Sequence, residues 1–599
     1  MKKFYHSIFY LLICTWCFFA GISNSNAQWM RSPGATNYHS HVAWLDENTA
    51  IAIGNRGTII KSLDSGVTWQ ARASKTQFDL RSLFFITGEI GWAVGNQGTL
   101  LKTLDGGDNW STFPISTLSN LECIYFIDES NGWIAGQNGE MYATSNGGFT
   151  WSSVIVPTIE TINSIFFTTA LKGTAVGTNG LVMTTHDGGL NWSVFATNSF
   201  QSFLSIVFIN ENEGFLGGAF TFMKTTDGGL NWSNIPDFIS VFDIQFKNEI
   251  LCIVRDQHQF SYSDDYGNTW NTITHSSTNN VMKFEYNGDQ KVILIDPGYG
   301  LIVSQNMGST WTSVLSVFPN NYYAMHFTDQ NTGWIAGTNG SMRKTSDGGH
   351  TWQQVLTGSS GFYAIRMQGN TGIVAGAAGA MKRTTDGGAT WANTTSGTSQ
   401  TIYDVAFLNA TTVFFSSDNG LLRKSTDSGS TWTSVTTGVN NPIRKIFFVD
   451  ALTGWLCGHG GVIMKTTDGG QNWSTQISGT NSNLLSIDFV SATTGFVTGA
   501  TGTLLKTTNG GQTWNQQNAN TTEHIMSIDF MNATNGIAVG NAGTIRHTYD
   551  GGATWSAPDF PSPTEFVCNV VQQIAPGKAV AVANNGNIIL FEEPCNSNP

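Results

Sequence analysis

One short string appears thirteen times along the chain and constrains everything else about it. KSLDSGVTW, KTLDGGDNW, ATSNGGFTW, TTHDGGLNW and KTTDGGLNW end at Trp69, Trp110, Trp151, Trp192 and Trp232. The weaker copies YSDDYGNTW and VSQNMGSTW end at Trp270 and Trp311, and strong copies return at Trp352, Trp391, Trp432, Trp473, Trp514 and Trp555. Successive tryptophans lie 38 to 41 residues apart. Such a period means one supersecondary unit used repeatedly. Each interval begins with an apolar run such as LRSLFFI or LLSIDFV, continues as GWAVGNQGTLLKT or a close relative, and ends in the box. This order predicts four short strands, A to D. A tight Gly-x-x-Gly turn joins B to C, the box joins C to D, and the tryptophan opens D. Four strands in about forty residues make a propeller blade.

The box has a physical reason. Its Asp or Asn accepts hydrogen bonds from the N–H groups of its own turn. The Gly two residues on permits a left-handed backbone. The Trp supplies a large apolar surface for the seam between blades. Asp64, Asp105, Asp187, Asp227, Asp347, Asp386, Asp427, Asp468 and Asp550 are therefore expected to be structural. One carboxylate per box, repeated around the chain, supports neither calcium binding nor catalysis.

Every one of the 20 tryptophans has a place in this scheme. Beyond the boxes, Trp29 begins a matching D strand at the N-terminus. Trp92, Trp133, Trp334 and Trp455 occupy strand B, Trp44 ends a strand A, and Trp16 lies in the leader. None is left over as a platform for a sugar. Trp29 gives a D strand without its own A to C, and the segment up to Phe591 gives A to C without a box. Fourteen units result. A ring of fourteen would leave a wide open centre, whereas two rings of seven divide the count evenly. The expected fold is all-β: two tandem seven-bladed propellers of four-stranded antiparallel blades, at residues 28–308 and 309–592, with a tail at 593–599. The Trp29 strand is expected to close the first ring and the Trp311 strand the second, leaving no free sheet edge.

Residues 1–27 read as a secretory signal. Lys2 and Lys3 precede an apolar stretch from Ile8 to Ala20, and Ser25-Asn26-Ala27 fits a cleavage site before Gln28. Neither Cys14 nor Cys17 follows a lipoprotein-type sequence. The mature chain is expected to be exported, to the periplasm or the cell exterior, without inserting into a membrane. The formal net charge of −13 becomes more negative when the leader and its two lysines are removed. An acidic surface repels phosphate backbones, so nucleic acid is not an expected partner. Cys123, Cys252, Cys457, Cys568 and Cys595 remain, with no C-x-x-C pair. The first four lie in expected strands and read as buried small hydrophobes. The spacing identifies no disulfide partners.

The strings GWAVGNQGTLLKTLDGGDNW and TGTLLKTTNGGQTW resemble the repeat of the photosystem II stability and assembly factor family. They also carry the S/T-x-D-x-G-x-T-W Asp-box shared with sialidases, sortilin and tandem-propeller xyloglucanases. The resemblance covers nearly the whole mature chain and implies a scaffold that binds other proteins. That family has a single seven-bladed ring, whereas two are expected here.

Signs of chemistry are sparse. The Arg-Ile-Pro sequence that accompanies sialidase sites is absent, and the repeats hold their length, so no long insertions build a glycan cleft. His39 and His41 lie two apart on one strand, with no third ligand at metal spacing. They read as a polar edge near the start of the first ring. The Gly-x-x-Gly turns, such as Gly95 to Gly98, link strands and do not open a helix, so they are hairpin turns rather than phosphate loops. No metal and no cofactor is expected. One asymmetry stands out on strand A, the innermost strand. The residue before its last aromatic or equivalent is Ala43, Phe84, Tyr125, Phe166, Val207, Gln245 and Glu285 in the first ring. In the second it is His326, Arg366, Ala406, Phe447, Asp488, Asp529 and Val570. His326, Arg366, Asp488 and Asp529 are therefore candidate ligand- or partner-binding residues in the second ring's mouth, weighed against buried pairs or hydrated channel groups. The leading reading is an exported, non-catalytic protein-interaction or assembly scaffold. The alternatives are a glycan-binding protein or glycoside hydrolase of sialidase or xyloglucanase type, and a cell-surface adhesin.

Overall fold

The computed structural model describes residues 28–31, 38–195, 197, 199–236, 238–256, 258–275, 281–296, 300–315, 320–557 and 567–592. The expected leader, Cys595 and the tail at 593–599 lie outside the described residues. Within them the chain forms fourteen antiparallel sheets, thirteen of four strands and one of three. Each sheet is one blade, named here blade 1 to blade 14 in order of its strand A. In blades 1 to 7 strand A is His39–Trp44, Leu80–Phe85, Leu121–Phe126, Ile162–Phe167, Phe203–Phe208, Val241–Lys247 and Lys283–Tyr286. In blades 8 to 14 it is Tyr322–Phe327, Phe362–Gln368, Ile402–Phe407, Ile443–Phe448, Leu484–Phe489, Ile525–Phe530 and Cys568–Ala575.

Each blade packs on the next because strand B is apolar on both faces. Ile51 and Ile53 of blade 1 meet Leu80, Leu83, Ala93 and Trp110 of blade 2 in one cluster. Val42 and Ala52 of blade 1 pack against Ile293 and Leu301 of blade 7. Tyr322 and Ile335 of blade 8 pack against Val580 and Leu590 of blade 14. The series of blades therefore closes on itself twice, after blade 7 and after blade 14, giving two rings of seven.

The closing strands differ from expectation. Gln28–Arg31 pairs antiparallel with Ile588–Glu592, so it completes blade 14 and not the first ring. Thr312–Leu315, the strand after Trp311, pairs with Gly300–Ser304 in blade 7. The box ending at Trp311 is a hairpin turn, and pairing across a short hairpin closes the smallest loop. Gln28–Arg31 has no box before it, and Ile588–Glu592 is the strand C with none after it. The first ring is thus inserted between the closing strand of the second ring and the rest of that ring.

The boxes bind themselves. Asp105 Oδ1 accepts the Asn109 N–H at 2.9 Å and the Thr103 hydroxyl at 2.9 Å, while Oδ2 accepts the Asn109 side-chain amide at 2.7 Å. The Thr103 oxygen accepts the Gly107 N–H at 2.9 Å, and Trp110 Nε1 donates to the Gly107 carbonyl at 3.1 Å. Gly107 sits at φ +83, where a side chain would be strained and would strike Ile51. The same carboxylate pattern recurs at Asp64, Asp187, Asp227, Asp347, Asp386, Asp427, Asp468 and Asp550. These bonds hold Asp187, Asp227, Asp468 and Asp550 down at about 2. The carboxylates are consumed by their own turns.

Two outcomes follow. Trp110→Ala removes a fully buried ring from the seam between blades 1 and 2 and should lower unfolding free energy by about 3–5 kcal/mol in urea denaturation. Deleting Gln28–Arg31 should raise amide exchange at Ile588–Glu592 while leaving His39–Trp44 protected, read by hydrogen-exchange mass spectrometry. Faster exchange at His39–Trp44 instead would place the closure in the first ring.

Candidate functional site

Strand A is the inner edge of every blade, so half its N–H groups have no strand to pair with. Side chains of the preceding blade take them. The third residue of strand A receives the N–H of the next blade's fourth: Ser82 that of Ile124, Ser205 that of Ile244, Asp404 that of Ile446, Ser527 that of Val571. The fifth residue receives the N–H of the next blade's sixth. Asp488 Oδ2 accepts from Phe530 at 2.7 Å and Asp529 Oδ2 from Gln573 at 2.8 Å. Gln572 Oε1 accepts from Phe327 at 2.9 Å and closes the second ring.

The belt identified in the sequence is this fifth position. Blade 14 requires a correction. Its belt member is Gln572, which pairs with Val580 as Asp529 pairs with Ile537, whereas Val570 lies in the layer of Ser527. Blade 14 carries the polar Gln573 where the other blades carry an aromatic or, in blade 9, Met367, so the sequence offered no anchor for that alignment.

The four candidate residues fall into one neighbourhood. Arg366 Nη1 donates to His326 Nδ1 at 3.1 Å, and His326 Nε2 lies 3.2 Å from the Met367 carbonyl. The tautomer protonated at Nε2 satisfies both contacts. Burial, and then the Arg366 charge, push His326 down to about 3, so the ring is neutral. Asp488 and Asp529 lie on adjacent blades. Burial pushes both carboxyls well above their ordinary range, and the charge of Asp529 adds to the rise at Asp488. Lys445, one layer away, is held by Asp404 at 2.9 Å.

A cavity of about 430 Å³ opens where the strands A of the second ring begin. Of the four candidates only Arg366 lines it. Its wall is made instead by second residues of strand A, among them Tyr323, Tyr363, Tyr403 and Arg444. This second residue is skipped by the ladder to strand B, as between Tyr322 and Ala324, so its side chain turns to the axis. The Tyr323 and Tyr363 rings lie 5.2 Å apart, and the Arg444 guanidinium sits 4.0 Å over Tyr403. The Tyr403 hydroxyl donates to Asp418 at 2.8 Å. Sequence reasoning missed these four. The signal was present as the consecutive runs YY, FY, IY and IR at the starts of strands A in blades 8 to 11.

The first ring has a wider cavity of about 560 Å³ lined by Arg81, Glu122, Asn163, Leu204 and Phe242 at the same position. Glu285 there is raised to about 7 by burial. His39 and His41 are not a polar edge of one strand face. The ladder skips a residue between them, His39 is buried, and His41 Nδ1 accepts the Leu83 N–H at 3.1 Å. Burial pushes both down to about 4. Cys123, Cys252 and Cys457 are free thiols buried in the sheets, and Cys568 is buried with them. Among the described residues no three His, Cys, Asp or Glu side chains gather as metal ligands, and no helix is long and apolar enough to cross a membrane.

A family profile described as Photosynthesis system II assembly factor YCF48 matches residues 149–237, 303–397, 391–478 and 475–595. No curated protein matches the chain. Among solved structures, the GH74 enzyme of Niastella koreensis is similar with a TM-score of 0.55 and 13% identity, over 95% of this chain and 100% of its own. The GH74 xyloglucanase of Xanthomonas campestris gives 0.54 and 11%, over 95% and 100%. YCF48 from Cyanidioschyzon merolae gives 0.41 and 17%, over 46% of this chain and 96% of its own. At these identities the GH74 likeness is one of fold.

The buried carboxyl pair sets a pH dependence. A carboxyl raised by folding contributes stability below its ordinary value and loses it as pH rises through the raised one. Asp488→Asn with Asp529→Asn keeps an oxygen for each N–H but cannot ionise. The difference in melting temperature, variant minus wild type, should therefore grow between about pH 4 and 8. A difference independent of pH would show that the pair does not titrate in the fold.

Proposed function

Because the chain belongs to the family described as Photosynthesis system II assembly factor YCF48, we propose that it is an exported, non-catalytic scaffold that binds a polypeptide partner at the mouth of its second ring. The observation carrying this reading is the arc of Tyr323, Tyr363, Tyr403 and Arg444 around a cavity with Arg366 deeper inside. Tyrosine gives large contact area with little rotamer entropy to lose, and arginine stacks and donates in a planar fork. The nearby carboxyls are occupied. Asp488 and Asp529 hold backbone N–H groups, Asp404 holds Lys445, and Asp418 holds Tyr403. A glycosidase instead needs two carboxyl groups facing each other across the sugar, roughly 5–10 Å apart. In this proposal His326, Asp488 and Asp529 brace the second ring, and Arg366 alone of the four touches the partner.

The same tyrosines favour a second reading, a glycan laid on their ring faces. Affinity capture from the native host, with the mature protein and with a Tyr363→Ala, Tyr403→Ala, Arg444→Ala variant, separates the two. The scaffold reading expects a polypeptide retained by the wild type and lost by the variant at unchanged melting temperature. It also expects no reducing ends released from any polysaccharide and an exported form beginning at Gln28. Glycan-array binding that disappears in the variant would favour the second reading, and turnover of any polymer would overturn the first.

A further inference from the structure

Large apolar side chains are distributed unequally between the rings. Of twenty-one large hydrophobic side chains exposed among the described residues, eighteen belong to the first ring. One set is regular. In the loop leading into strand A, three residues before it starts, blades 3, 4 and 5 carry Leu118, Ile159 and Phe200, which are 78%, 84% and 90% exposed. Phe78 and Ile239 extend the set into the neighbouring loops, and Phe220 adds the tip of a B–C turn on the same face at 74% exposure. The second ring is the internal control. The same loop position there holds Ser359, Ser399, Asn440, Asn481 and Thr522, all exposed. The loop therefore folds without an apolar residue, and the apolar rim of the first ring is not required by the repeat. A cluster of this kind on a soluble protein marks an interaction surface.

The charges on that face say what fits it. Arg56, Lys75 and Arg81, with Asp79, make the sector of blades 1 and 2 basic. Glu122, Glu140 and Glu160 make the sector of blades 3 and 4 acidic. Glu160 is fixed there by Thr178 Oγ1 at 2.7 Å and Asn179 Nδ2 at 2.8 Å. Leu118 stands in the loop between the two sectors. A twofold axis lying in this face and passing Leu118 would lay each basic sector on the other copy's acidic sector. It would also bury Leu118 against its own counterpart. Such self-complementarity is what an isologous interface needs.

We propose that the first ring's face bearing Leu118, Ile159 and Phe200 is the contact surface between two copies of this chain, packed face to face about a twofold axis. The surface is separate from the second ring's mouth.

Sedimentation of the full mature chain tests this. A concentration-dependent dimer is expected, and Leu118→Ser, Ile159→Ser, Phe200→Ser should weaken it about tenfold or more at unchanged melting temperature. Lys75→Glu and Glu160→Lys should each weaken it alone and restore it together. With Cys595→Ser as background, Leu118→Cys should give an oxidised disulfide dimer and Ser399→Cys should not. A wild type that stays monomeric at roughly 100 μM would overturn the proposal. So would a dimer indifferent to the triple substitution. Flotation of the wild type with phosphatidylcholine vesicles, lost in the triple variant, would also overturn it and assign the rim to a lipid surface.

Discussion

A single blade of this protein cannot exist alone, because both faces of its sheet are apolar. Strand B is buried along its whole length in blade after blade, as in Ala50–Gly54, Gly91–Gly95 and Gly454–Gly458. Each face needs another blade against it, and only a closed ring supplies one to every blade. The outer seam is fastened by the box tryptophan and by a strand C cation. Lys465 sits over the Trp455 ring at 5.0 Å and donates to the Gly510 carbonyl of the next blade at 2.9 Å. Lys506 does the same with Phe496 and Gly551, at 5.5 Å and 2.6 Å. The box turn thus presents a carbonyl to its neighbour while using its own carboxylate internally.

Closure creates a second demand at the axis. The inner edge of strand A has N–H groups with no strand beyond them, and a buried unpaired N–H is costly. Side chains at the third and fifth positions answer this demand. Serine suffices at the third. At the fifth, much of the first ring fills the space with aromatics, such as Phe84 against Tyr125 at 5.7 Å. The second ring places Asp488, Asp529 and Gln572 there. Its carboxyls must lie near cations or stay protonated, and Arg366 and Lys445 supply the cations. The charge gathered at this axis is thus a consequence of how the ring is fastened. Freedom to bind something else begins one layer outward, where the second residue of strand A is released by the skipped ladder position.

How far the site was legible follows from that layering. The fifth-position residues were found because a following aromatic, or Met367 in blade 9, marks them in the sequence. Blade 14 failed for want of that mark, since Gln573 stands in its place. The tyrosine arc was missed because strict alternation along a strand gives no reason for a second residue to face the axis. It does so only because the backbone skips a position between Tyr322 and Ala324, and between Phe362 and Ala364. His39 and His41 were misread for the same reason.

The repeat alone determined the all-β architecture, the number of blades and the work of the boxes. Those depend on contacts within one unit or between successive units, and every copy spells them again. The tertiary structure decided three things. Gln28–Arg31 closes blade 14, because a strand without its own hairpin pairs with the strand C that no box follows. Arg366 and His326, forty residues apart, share a hydrogen bond because blades stack strand A beside strand A. The first ring's rim is apolar as a surface only because the loops before blades 3, 4 and 5 emerge side by side on one face. These are relations between repeats that sequence periodicity treats as equivalent, and ring closure makes them unequal.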